Sequence, residues 1–145
     1  MFKRILVPVD GSENSLKALK MAVEMQKTTG AELMTLTVFR HHSLLEASMS
    51  MVRPDDPQNL DDAMRDHAKE IADAAKKAAL ELGAQTPRAF VKSGQPARTI
   101  VKFSKEREAD LIVLGSRGLG DLEGYLLGSV SHKVTSLASC PVMVV

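Results

Sequence analysis

Gly115 and Gly118 flank the dipeptide Ser116-Arg117, and after nine intervening residues Gly128-Ser129 leads into a helical pattern. The first pair follows "LIVL", an apolar run that reads as a strand. This arrangement suits phosphate. Glycine carries no Cβ, so two backbone segments can close on an anion. A helix N-terminus adds unpaired N–H groups and the positive end of the helix dipole, and Ser129 and Ser131 bring hydroxyls to the same place. A second group stands far away in the chain, where "VDGS" closes the first apolar run and sets Asp10 at its carboxyl end. A carboxylate there can accept the hydroxyl protons of a ribose. Together the two groups provide for both ends of a nucleotide.

Competing chemistries fail on spacing. A P-loop needs GxxxxGK[ST], and no lysine follows a suitable glycine here. Gly118 and Gly120 begin like a dinucleotide fingerprint, but the third glycine falls at 124, one position late. Ser116 and Ser129 have no evident His–Asp partners, and "GSRG" is not the GxSxG elbow of a hydrolase. His41 and His42 lack the third ligand that a metal site wants. Cys140 is the one cysteine, which excludes an intramolecular disulfide, and its place at the entry of "PVMVV" predicts a buried, inert thiol. Arg117 reads either as a phosphate ligand or as a solvated loop charge.

The elements that must position these residues alternate along the chain. Strands are expected at 4–10, 32–39, 88–93, 110–115 and 141–145, several of them apolar on both faces as in a parallel sheet covered by helices. A first helix is expected with Ser12 as N-cap, Gly30 as its stop, a stripe of Leu16, Leu19, Val23 and Gln26, and Met21 and Met25 as packing residues. A second runs from about Leu60 to Leu82 on a stripe that includes Met64, His67, Ile71, Ala75 and Ala78. Pro96 opens a third, with Ile100, Val101 and Phe103 inward. The fourth spans about Ser129 to Ala138, with Val130, Val134 and Leu137 inward. This order predicts one doubly wound α/β domain over residues 1–145. The link over residues 40–59 is long for such a unit, and reads as a functional flap or as a short helix covering a sheet edge.

Bulk properties narrow the function. The 145 residues carry 19 basic and 18 acidic side chains, 44% hydrophobic and 3% aromatic content. That balance, without a basic run, argues against nucleic acid as a partner. No apolar stretch approaches the roughly 20 residues that cross a bilayer, and "MFKRILVPVDGS" lacks the core and cleavage site of a signal peptide. A cytoplasmic location is expected.

The combination Gly115-x-x-Gly118, nine residues, Gly128-Ser129, with "ILVPVDGSENS" in front and "GSVSHKVTSLASCPVMVV" behind, resembles the ATP-binding subgroup of the universal stress protein family over the whole chain. The resemblance implies a five-stranded parallel sheet in the order 3-2-1-4-5. It further implies that Pro8 and Val38 contact adenine, the latter through its backbone, and that Asp10 takes the ribose. Leu114 and Gly115 would lead into the site, with Gly118, Gly128, Ser129, Val130 and Ser131 on ribose and phosphates. Asp121 and Glu123 would be the side chains to approach a Mg²⁺ on the phosphates. In that strand order "PVMVV" lies at a sheet edge, so a homodimer through residues 141–145 is expected, with higher oligomers open. The function implied is regulation, with ATP as a ligand that controls oligomerisation or partner binding. The chain is also similar to members associated with TRAP-type transporters for compatible solutes. A slow ATPase or phosphotransferase is the alternative, weakened by the lack of an evident base or activating lysine.

Overall fold

A computed structural model of the protein describes residues 1–40, 57–117 and 128–145. The 41–56 part of the long link, with His41 and His42, lies outside the described residues, as do Gly118, Asp121 and Glu123. The elements in chain order are β1 (Arg4–Pro8), α1 (Glu13–Thr29), β2 (Glu32–Phe39), α2 (Pro57–Glu81), β3 (Arg88–Ser93), α3 (Pro96–Glu106), β4 (Leu111–Leu114), α4 (Ser129–Leu137) and β5 (Val142–Val144). The strands form one parallel sheet in the order β3-β2-β1-β4-β5, the expected doubly wound arrangement.

Alternation along the strands builds a core on each face. Ile5, Val7, Leu33 and Val113 point toward α1 and α2, where Leu19, Val23 and Ala79 meet them. Leu6, Met34, Leu36 and Ile112 point the other way, toward Ile100, Phe103 and Val134. Covered on both sides, β1 and β4 are apolar at consecutive positions because neither face meets water.

Local chemistry sets the helix ends as expected. Ser12 caps α1 by accepting from the Ser15 N–H at 3.2 Å, and Gly30 ends it at φ 74°, a left-handed conformation that suits glycine. Pro96 stands in the first turn of α3, whose N-cap is Gln95. Gln26, a polar residue on the apolar stripe, is buried because its amide is fully used. It donates to the carbonyls of Ala31 and Gln85 at 3.0 and 2.8 Å and accepts from the Gln85 N–H at 2.9 Å.

Several expectations need correction. β1, β4 and β5 are shorter at their ends than the apolar runs. Leu16 and Met21 are exposed on α1, whereas Leu19, Val23 and Gln26 are buried as expected, joined by Ser15, Ala18 and Ala22. On α2 the buried positions are Ala68, Ala72 and Ala79, with Ile71, Ala75 and Ala78 flanking them, and His67 lies in solvent near Glu70. Leu137 on α4 is exposed because the buried stripe passes through Ser131 and Val134. Cys140 is half-buried rather than buried. Burial and the nearby Asp110 carboxylate push its thiol pKa up, against thiolate reactivity.

Candidate functional site

A cleft of about 330 Å³ opens where β1, β2 and β4 end, the usual ligand crevice of a doubly wound sheet. The backbone makes it by letting adjacent strands part. β1 pairs with β4 only at Ile5↔Leu111 and Leu6↔Ile112, while on its other side it pairs with β2 as far as Pro8↔Leu36. Pro8 has no N–H to donate, so a proline is tolerated in this central strand where the ladder is already giving way.

Eight of the ten residues expected at the site line this cleft: Pro8, Asp10, Val38, Leu114, Gly115, Ser129, Val130 and Ser131. Gly128 stands immediately behind as the N-cap of α4, and Gly118 belongs to the part not described. Three strand ends and one helix start, separated by most of the chain, thus converge.

Hydrogen bonds fix the wall between β1 and α1. Asp10 Oδ1 accepts from the Ser12 N–H at 2.9 Å, which orients the carboxylate, while Ser12 caps α1. Across the cleft the Ser116 carbonyl accepts from both the Gly128 N–H and the Ser131 hydroxyl, the latter at 2.7 Å. The segments before and after the glycine-rich stretch are therefore tied together. The Ser131 hydroxyl is committed to this tie, so a phosphate would meet Ser131 through its N–H group. No side chain caps α4, whereas α1 and α3 have Ser12 and Gln95. A helix start without a side-chain cap leaves first-turn N–H groups that can serve an anion.

Gly115 has a second reason to be glycine. A Cβ there would lie 2.8 Å from the main-chain carbon, oxygen and Cβ of Asn14. Close packing of β4 on the first turn of α1 therefore excludes a side chain, whatever occupies the cleft.

Arg117 and Arg40 also line the cleft. Arg40 was missed; it stands one residue past the end of β2, two beyond Val38. Pro96 and Ile100 form the α3 side of the wall. Among the described residues no group of three or more His, Cys, Asp or Glu side chains could hold a metal ion. No described helix is long and apolar enough to cross a membrane.

Comparison with known proteins agrees with this architecture. The model of the universal stress protein family matches residues 1–145. The chain is 40% identical to the universal stress protein YxiE of Bacillus subtilis, with 100% of this chain and 99% of that protein covered. The universal stress protein UspA from Lactobacillus plantarum superposes with a TM-score of 0.83 at 28% identity, covering 99% of this chain and 97% of the other. A universal stress protein crystallised in complex with cAMP gives a TM-score of 0.72 at 26% identity, covering 99% of this chain and 96% of the other. Matched along its full length by both family and fold, the chain belongs to the universal stress protein family.

Proposed function

We propose that the cleft binds an adenine nucleotide, ATP foremost, and that the bound state of the protein controls its oligomerisation or partner binding. One observation carries this reading: an orienting carboxylate, an uncapped helix start and two guanidinium groups surround one cleft at the carboxyl ends of three strands. Its volume falls within the roughly 300–1,000 Å³ of small-molecule sites. The relative in complex with cAMP binds a ligand of the same class. Pro8 and Val38 would border the adenine, and Asp10 the ribose. Leu114 and Gly115 would carry the wall toward the phosphates, which Gly118, Gly128, Ser129, Val130 and Ser131 would hold. A Mg²⁺ would enter with the phosphates.

A carboxylate tied by Oδ1 to a backbone N–H suits a fixed ribose acceptor better than a base aimed at water. ATP is therefore read as a ligand that selects a conformation, ahead of the slow ATPase or phosphotransferase. The dimer would form through residues 141–145. β5 ends the sheet without a charged residue, whereas the opposite terminal strand, β3, exposes Arg88 and Lys92. Charge discourages edge pairing at β3 and leaves β5 open to it. The narrower role, regulation of a solute transporter, rests on sequence resemblance alone.

Calorimetric titration of the purified protein with ATP, GTP and NAD tests the site, with light scattering on the same samples. ATP should bind most tightly. Loss of a charge-assisted hydrogen bond in Asp10→Ala should weaken it by about tenfold to a hundredfold. Equal affinity for all three ligands would overturn the adenine assignment.

A further inference from the structure

The face that carries α3 and α4 holds two shallow grooves that meet at one side chain. The larger, about 550 Å³, runs between the start of α3 and the outer side of α4, past Gln95, Arg98, His132, Lys133 and Leu137. The smaller, about 260 Å³, lies between β3 and α3 and includes Lys92, Arg98, Lys102 and Glu106. Arg98 borders both, so they form one continuous surface. Its charge is one-sided in a chain whose formal net charge is only +1. Glu106 is the one acid lining either groove, and it stands 3.9 Å from Lys102. Lys92, Arg98 and Lys133 make no ion pair among the described residues. At the far end Leu137 is left 51% exposed.

A solvated helix face interleaves charges of both signs, as α2 does with its alternating Asp, Glu, Lys and Arg. Here cations flank a depression and an apolar side chain closes it. We propose that the α3–α4 surface docks an acidic protein segment carrying Glu or Asp side chains around one apolar residue. Carboxylates would meet Arg98 and Lys133 across the larger groove and Lys92 across the smaller. Leu137 would cover the apolar residue. Gln95 uses its Oε1 to accept from the Arg98 N–H at 2.8 Å, and its Nε2 can donate to a carbonyl of the incoming chain.

The surface fits nucleic acid less well. No aromatic residue is among the exposed large hydrophobics of the described residues, so bases would have nothing to stack on, and Leu137 gains nothing from a phosphate backbone. The starts of the same two helices also line the nucleotide cleft, through Pro96, Ile100, Ser129 and Val130.

The test is fluorescence anisotropy of the full-length protein with a short labelled peptide that alternates Glu with single Leu residues. The Gln-for-Glu peptide and a single-stranded DNA of equal charge serve as comparators. The Glu peptide should bind, and its affinity should fall about tenfold or more between about 0.1 M and about 1 M salt, as the Debye length shrinks from about 10 Å to about 3 Å. Reversal of charge in Arg98→Glu with Lys133→Glu should weaken binding by about tenfold or more, and Leu137→Ser by severalfold. Lys17→Glu, an exposed change on α1, should leave it unchanged. Melting curves confirm that each variant is folded. Three results would overturn the proposal: no binding of the Glu peptide, equal binding of the Gln peptide, or unchanged affinity in the folded charge-reversed variant. Tighter binding of the DNA would reassign the surface to nucleic acid and overturn it as well.

Discussion

Gly115 is where the packing of the fold and the wall of the cleft make the strictest joint demand, and Gly115→Ala tests it. The added Cβ would sit 2.8 Å from three atoms of Asn14, two of them main-chain. Non-bonded carbon atoms settle at about 3.5–4.0 Å, so β4 and the first turn of α1 would have to separate by up to about 1 Å. Neither side yields as a surface side chain would. β4 is paired with β1 and β5, and the start of α1 is held by the Ser12 cap and the Asp10 turn. Overpacking of this kind costs about 1–3 kcal/mol. At about 2.1 cal/mol/K of unfolding entropy per residue, the whole chain changes by about 0.3 kcal/mol per degree. Tm should therefore fall by about 3–10 °C. Denaturant titration should show a lower midpoint at an unchanged slope, since the native fold is kept. A variant within about 0.5 kcal/mol of the parent would refute the reasoning, because the two segments would then have been free to part.

Three further changes probe the surrounding structure. Ser131→Ala removes the hydroxyl that holds the Ser116 carbonyl and should cost about 0.5–1.5 kcal/mol in denaturant titration, with a matching loss of nucleotide affinity as α4 loosens from β4. Thr35→Val should raise stability by about 1 kcal/mol in the same assay, because the Thr35 hydroxyl is buried without a partner among the described residues. For Asp110, burial raises the carboxyl pKa, but hydrogen bonds from the Arg4 and Lys3 N–H groups outweigh it and leave the value lowered. A lowered pKa gives stability that is present above the unfolded value, near 3.9, and lost as pH falls through the folded one. Stability curves against pH should therefore show Asp110→Asn weaker than the parent at neutral pH, with the gap closing below about pH 4.

The parts of the fold that the sequence made legible are those decided by local chemistry. Ser12 starts a helix through its side-chain cap, Gly30 and Pro96 stop and start helices through their backbone preferences, and β1 and β4 announce burial on both faces by unbroken apolar runs. Helix rotation was not legible, because a neighbour decides it. Ala68, Ala72 and Ala79 let α2 lie close to the sheet, and their small side chains gave no sign that they outrank Ile71 or Met64. Leu16 and Leu137 are apolar yet face outward for the same reason. The convergence of Asp10 with Gly115 followed from the strand order that the resemblance implied; no local pattern carries it. Arg40 lies just past the end of β2 and outside the family motif, so neither the strand pattern nor the resemblance pointed to it.

Residue types pointed to the proposed phosphate site, but the division of labour between backbone and side chain emerges only in three dimensions. Two donors converge on the Ser116 carbonyl, so the start of α4 is held against the end of β4 by the residues on either side of the glycine-rich stretch. The Ser131 hydroxyl belongs to that scaffold, and the Gly115 hydrogen faces Asn14. What the proposed site would offer an anion is chiefly main-chain N–H at the start of α4. A site of this kind tolerates the loss of a polar side chain better than the gain of a Cβ. The largest losses of affinity should therefore come from added volume at Gly115 and Gly128, with Asp10 as the side-chain exception, since no backbone donor can replace a carboxylate that accepts from a ribose.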